Sequence, residues 1–407
     1  MKIKIDADEA VELLLAQNAA AGIESVPLWE LEGRVLAENI CSRLPVPPFD
    51  RSPYDGYALI AEDTANASRE NPAVFSITEE IPAGKAPAVS LTHGHAAKIL
   101  TGAPVPEFAN VTVKYEETEF TDTEVKIFSP LRANTDIVRA GEDIAAGELI
   151  ASAGSVISSA LLGMLAGPGI TEAKVFKKPR ISVISTGTEL CQPGEPLGPA
   201  KIYNSNVYTI SSYLRAIGAE AVNGGIAPDE PDEISASISA ALRDSDMVIT
   251  TGGASVGDYD WAVRVSQSMG ADVLFWKADF KPGGAISAAM LGGKMILSLS
   301  GNPGAAVIGL LRIGMPYIKK LCGRADTTTE TVTVVLKGSF GKKSPQRRLV
   351  RGRLEIAGGA AYFVPGDGQG NGVVSSLVGC DLLGEIPAGS AALESGCKIK
   401  AFRVPAR

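Results

Sequence analysis

Three observations on this 407-residue chain predict a multidomain fold of the α/β-plus-β class. Between residues 177 and 325, apolar runs at 181–184, 247–250 and 295–299 alternate with helical stretches at 205–217, 231–243, 260–269 and 304–321. That alternation predicts a doubly wound parallel-sheet central domain with helices on both faces. On either side, short alternating runs broken by Pro and Gly read as a small β domain and a C-terminal β barrel. Each of the three apolar runs empties into small and polar residues, at the carboxyl strand ends where open α/β sheets bind ligands.

Taken in order, residues 1–45 read as one or two helices. Asp6 and Glu9 form an N-cap arrangement, and Val11, Leu14 and Leu15 supply a buried face. Leu44-Pro-Val-Pro-Pro-Phe49 places three prolines within four residues, which stops helix and marks a boundary. Residues 46–143 carry the runs Val74–Thr78, Val111–Tyr115 and Glu124–Phe128 of the small β domain. Residues 144–176 return to small and apolar residues, expected to pack against 1–45 as an elongated, discontinuous helical linker domain. Their uncharged stretch from 149 to 170 includes Gly167-Pro-Gly169, so it reads as a buried helix and not as a membrane span. The α/β domain covers 177–325. Beyond it, runs at 331–336, 348–356 and 361–364 assign 326–407 to the barrel.

Composition narrows function. Apolar residues make up 45% and charged residues 21%, which is globular. A net charge of −8 disfavours nucleic acid and anionic membrane as partners, so local basic clusters gain meaning. These are Lys277 with Lys281, and Arg347, Arg348, Arg351 and Arg353. Five scattered cysteines without a C-x-x-C pair, and only two histidines, argue against disulfides, a zinc site or a histidine triad. A reduced, cytoplasmic setting is expected, and the N-terminus lacks the apolar core of a signal peptide.

The stretch Val248-Ile-Thr-Thr-Gly-Gly-Ala-Ser-Val-Gly-Asp-Tyr-Asp260 runs a strand into a loop that ends in two carboxylates. Gly252, Gly253, Ser255 and Gly257 leave backbone amides free to wrap an anion, and Asp258 and Asp260 can hold a metal or cap the next helix. No Lys-Ser or Lys-Thr follows, which excludes a P-loop. Glu189, in Ser185-Thr-Gly-Thr-Glu-Leu190, reads either as a metal ligand or as an acid favoured by a helix dipole. Asp229, after Pro228, reads as a ligand or a helix opener. Lys277 and Lys281 suit a doubly charged oxyanion or a solvated face. Asn302 and Pro303 open a helix whose first amides can face a ligand. Asp55, Thr101, Arg139 and Asp143 lie in plain turn sequences and are silent alone.

Together, however, Asp55-Gly-Tyr-Ala58, Thr101-Gly-Ala-Pro-Val-Pro106, Arg139-x-Gly-Glu-Asp143, Ser185–Leu190, Gly252–Asp260, Lys281-Pro-Gly283 and Gly301-Asn-Pro303 resemble the molybdopterin molybdenumtransferase (MoeA) family, related to the gephyrin E domain. The resemblance covers essentially the whole chain and types the central domain as molybdopterin-binding. It implies insertion of molybdenum from molybdate into adenylylated molybdopterin, with release of AMP and assistance from Mg2+. It also implies a homodimer in which Asp55 and Thr101 complete a partner's site, and a molybdopterin adenylyltransferase as substrate donor. Carried over by motif, Asp260, Glu189 and Asp229 match acidic or metal positions. Asp55, Thr101 and Asp143 match site positions of the small domain, and Lys277 and Lys281 match molybdate-binding lysines; Arg139 and Arg351 are expected as further substrate or oxyanion ligands. Four positions depart from the family pattern: Tyr54 for Met, Gly284 for the second Lys of Lys-Pro-Gly-Lys-Pro, Ser300 for Pro, and Asn371 for Ser. Two further readings follow, a tungstate-specialised paralogue and a weakly catalytic scaffold or carrier of molybdopterin.

Overall fold

The computed structural model describes residues 1–19, 22–253, 261–341 and 343–405. Its largest sheet has seven strands, in the order Lys2–Ile5, Asp272–Ala278, Ser287–Leu291, Lys294–Leu299, Met247–Thr251, Arg180–Thr186 and Glu220–Ala227. Neighbours pair in parallel except Ser287–Leu291, which runs antiparallel to both of its own neighbours. The central strands carry apolar residues at successive positions, as in Val183-Ile184 and Val248-Ile249, because both faces are covered. Val183, Ile249 and Leu297 enter the core beneath helices Asn206–Ala216 and Ala7–Leu15, whereas Ile184, Val248 and Ile296 pack under Pro231–Asp244 and Trp261–Ser268. Helices on both faces make the sheet doubly wound, as expected.

The N-terminus departs from expectation. Among the described residues of 1–45 there is one α-helix, Ala7–Leu15, within the expected one or two and capped by Asp6 Oδ1 accepting from the Asp8 amide, but a strand, Lys2–Ile5, precedes it. Strand and helix both belong to the α/β layer and not to the linker. The Lys-Ile-Lys-Ile alternation at residues 2–5 is a period of two, the pattern of a strand. Asp8 then ties the helix to the rest of the chain, pairing with buried Arg312 and with Arg347 of the barrel. Burial pushes its carboxyl up, but the Arg312 and Arg347 charges and hydrogen bonds outweigh this and hold it below the ordinary aspartate value. A depressed folded value means that this stability is present above the unfolded value and is lost as pH falls through the folded one. Asp8→Asn is expected to remove that contribution, lowering the melting temperature at pH 7 and flattening its decline below pH 4; a melting series from pH 7 to pH 3 checks this.

The linker is mostly strand. It pairs Ile23–Pro27 with Glu172–Phe176 and Ile40–Cys41 with Leu149–Ala151. Its helix, Ser159–Ala166, is short and buries Leu165 alone, so the expected long buried helix is corrected. Gly154 and Gly169, with φ of 84° and 79°, turn the chain on either side of it. The small β domain is a six-stranded sheet spanning residues 56–127. Gly56 is glycine because a Cβ there would lie 1.8 Å from the Val113 carbonyl oxygen of the paired strand. In the C-terminal region Arg347–Ala357, Ala360–Pro365, Thr331–Leu336, Lys398–Arg403 and Leu382–Ile386 close into a barrel. Phe280–Lys281, from the α/β region, adds to its edge beside Arg347 and Arg348. Among the described residues no helix is long and apolar enough to cross a membrane.

Candidate functional site

The three predicted loops do converge. Glycines allow the approach: a Cβ on Gly301 would lie 3.3 Å from the Gly252 Cα, and one on Gly252 would lie 2.3 Å from the Thr186 carbonyl oxygen. Hydrogen bonds fix the rest. The Gly252 amide donates to the Leu299 carbonyl at 3.2 Å, and Asn206 Nδ2 donates to the Gly301 carbonyl at 2.8 Å. Beneath them Thr251 Oγ1 donates to Ser185 Oγ at 3.1 Å and Ser185 Oγ to Asn204 Oδ1 at 3.0 Å, all three residues buried. The Asn204 Nδ2 has no partner among the described residues.

These loops wall a cleft of about 970 Å³, large enough for a drug-sized ligand. Glu189, Asp229, Gly252, Gly253, Asn302 and Pro303 line it, as do Lys277, near the end of the strand Asp272–Ala278, and Lys281. The Glu189 carboxylate folds over Gly187, where a Cβ would meet its Oε2 at 2.5 Å. Asp229 Oδ2 accepts from the Thr188 amide at 3.2 Å, which ties its loop to that of Glu189. Lys277 has a left-handed backbone, φ 66°, and its ammonium stands 3.9 Å from the centre of the Trp276 ring. Asn302 is the N-cap of Pro303–Gly309, and one first-turn amide, that of Ala305, is already taken by the Asn371 carbonyl at 3.1 Å. Ser255, Gly257, Asp258 and Asp260 lie outside the described residues.

Other expected site residues sit elsewhere. Asp55, Thr101, Arg139 and Asp143 belong to the small-domain side and do not line this cleft. Asp55 Oδ1 accepts from both the amide and the hydroxyl of Thr101 at 2.7 Å, and these bonds hold the exposed carboxyl below its ordinary value. Arg139 is engaged by Asp50 and by Asn134 Oδ1, so its guanidinium braces the loop from 134 to 143. Arg351 requires correction as an anion ligand. It is fully buried, and its guanidinium donates to the carbonyls of Gly370 at 2.9 Å and Val373 at 3.1 Å.

Sequence reasoning missed Lys4, Asn204 and Gln346 as cleft residues. Tyr203-Asn-Ser-Asn206, polar residues between a strand and a helix, carried a usable signal for Asn204. Lys4 and Gln346 come from remote parts of the chain and carried none.

Family models match along the chain: the MoeA N-terminal region (domain I and II) at residues 5–169, a probable molybdopterin binding domain at 182–320, and the MoeA C-terminal region (domain IV) at 333–402. The chain belongs to the MoeA family. A protein of Staphylococcus epidermidis named molybdopterin molybdenumtransferase is 31% identical over 392 residues, covering 96% of this chain and 94% of that one. One of Staphylococcus aureus with the same name is 31% identical over 395 residues, with the same coverage. A crystal structure of the molybdopterin biosynthesis MoeA protein of Pyrococcus horikoshii superposes with a TM-score of 0.85 at 30% identity, covering 98% of this chain and 99% of the other.

Proposed function

We propose that this cleft is where molybdenum is inserted into adenylylated molybdopterin, with molybdate as the metal source and AMP as the released product. As a MoeA family member the chain is a transferase of molybdenum cofactor biosynthesis. One observation carries the finer reading: lysines that include Lys277 and Lys281, the carboxylates of Glu189 and Asp229, and three glycine-bearing loops line one cleft. The loop amides suit phosphates, and Lys277 and Lys281 suit a doubly charged oxyanion.

Magnesium fits the donor set. Among the described residues no group of three acids, histidines or cysteines gathers to hold a metal alone. A magnesium ion usually takes one or two carboxylates and completes its shell with substrate phosphates and water, so Glu189 and Asp229 would suffice. When bound, it neutralises charge on the phosphoryl oxygens. The chain's own part is to orient the phosphoanhydride and oxyanion and to exclude competing water. No general base is assigned, because molybdate supplies oxygen nucleophiles.

The test is AMP release from adenylylated molybdopterin by the purified protein with magnesium, in the presence of molybdate, tungstate or neither. Oxyanion-dependent release is expected, and the anion effective at lower concentration names the metal. Absence of release with both anions, despite substrate binding, would favour a carrier or scaffold. Glu189→Gln is expected to reduce release at least about 100-fold with unchanged melting, since it removes charge where the phosphoryl group is held.

The active unit of this proposal is a homodimer, supplied with substrate by a molybdopterin adenylyltransferase. Supporting the dimer, Trp29 is 93% exposed, and the helix Ser159–Ala166, which packs on the turn Leu28–Glu30, carries no charge and leaves Met164 42% exposed. Trp29→Glu with Met164→Glu is expected to give a monomer by sedimentation equilibrium, with the melting temperature of each protomer little changed.

A further inference from the structure

The edge strand Lys2–Ile5 runs parallel to Asp272–Ala278, with Ile3 beside Trp276 and Ile5 beside Ala278. The rung between these pairs is occupied by Lys4 and Lys277. Both have left-handed backbones, with φ of 53° and 66°. Residues with a Cβ enter that region only where their surroundings impose it, and such positions concentrate at binding sites. Here two neighbouring strands break their pleat at one rung, and both lysines line the cleft.

Two ammoniums at one rung repel each other; among the described residues Lys277 has no acidic partner, and Lys4 has one long, exposed one. Lys4 Nζ lies 3.7 Å from Asp279 Oδ1, beyond hydrogen-bond length, with the lysine side chain 59% exposed. The same carboxylate oxygen accepts from Gln346 Nε2 at 3.1 Å. An exposed pair of this kind contributes little. Lys277 faces the Trp276 ring instead of an acid. Position 284, in the loop after Lys281, cannot add a cation, because a Cβ on Gly284 would lie 2.3 Å from the carbonyl oxygens of both Ala278 and Phe280. On this wall Lys4 therefore stands as the third positive charge, delivered from the opposite end of the sequence.

We propose that Lys4 is an anion-binding residue of the cleft, holding with Lys277 and Lys281 a doubly charged tetrahedral group, either the free oxyanion or a phosphate monoester. This deepens the transferase reading and rests on it. The unfavourable backbone at 4 and 277, and the repulsion between the two ammoniums, are offset when a dianion sits between them.

Titration calorimetry on the full chain, with molybdate in one arm and AMP in the other, tests this with five proteins: wild type, Lys4→Gln, Lys4→Gly, Lys4→Arg and the control Lys2→Gln. Lys2 lies on the same strand but is paired with Glu9 outside the cleft. Lys4→Gln and Lys4→Gly are expected to weaken binding about tenfold in at least one arm, the affected arm naming the source of the anion. Lys4→Arg should stay within about threefold of wild type, Lys2→Gln should be unchanged, and the deficit should shrink as salt is raised. Glycine is at ease at φ 53°, so Lys4→Gly should melt no lower than wild type, which separates charge from folding. Wild-type affinity for both anions in Lys4→Gln and Lys4→Gly overturns the proposal alone. A wild-type protein that binds neither anion overturns it together with the reading it rests on.

Discussion

Gly252→Ala is expected to destabilise the protein by about 2–4 kcal/mol and to cut turnover at least about 100-fold. The glycine has φ 100°, and an added Cβ would lie 2.3 Å from the Thr186 carbonyl oxygen and 2.5 Å from its hydroxyl. Neither neighbour can yield cheaply. Thr186 ends the buried strand Arg180–Thr186, and on its other side Gly252 meets Gly301, the start of the third loop. Relief must come from the loop itself, which would carry the amide at 253 away from the ligand and break the bond from the Gly252 amide to the Leu299 carbonyl. Gly253→Ala is the internal comparison. Its φ of 65° is also left-handed, but the nearest atom to an added Cβ is 3.5 Å away, so only the conformational cost of about 1 kcal/mol applies. Melting temperatures and AMP release for the two variants check the ranking; equal effects would mean that close packing on Thr186 is not what holds the loop.

The sequence made legible whatever local physics dictates. Helix Pro231–Asp244 begins at the proline that opens it, and Arg180–Thr186, Met247–Thr251 and Lys294–Leu299 are strands whose apolar residues fall on both faces, as strands buried on both sides require. The convergence of their loops followed from the rule for open sheets, so Glu189, Gly252 and Asn302 could be placed in one cleft. Less legible were strands with half-exposed faces. Glu220–Ala227 contains Asn-Gly-Gly and lies at the sheet edge, where neither alternation nor a long apolar run is required. Charged residues were misread when burial decided their role. Arg351, inside a basic cluster, looks exposed in sequence but is among the largest fully buried side chains. Lys4 was hidden for the converse reason: alternation identifies a strand but not the neighbour it will choose.

Arg351→Met should cost about 3–5 kcal/mol and loosen the loop from 366 to 373, for the cleft wall depends on a charge that never reaches the ligand. The guanidinium donates to Gly370, Val373 and, at 3.5 Å, Gly368, while Gln369 returns Nε2 to the Arg351 carbonyl at 2.8 Å. Burial lowers its pKa from the ordinary arginine value, but a guanidinium stays ionised at neutral pH, and carbonyl dipoles take the place of a carboxylate. The clamped loop then offers the Asn371 carbonyl to the Ala305 amide, joining the barrel to the helix that opens at Pro303. Methionine of similar volume would leave those carbonyls without donors. Water can repair that deficit only by entering, and the loop would swing off the helix start. Lysine would keep the charge but lose the planar fork, so Arg351→Lys should recover less than half of the stability. Thermal melting and limited proteolysis between 366 and 373 measure both effects without substrate. A variant as stable and as resistant as wild type would show that the loop is held by its own glycine turns and not by the Arg351 guanidinium.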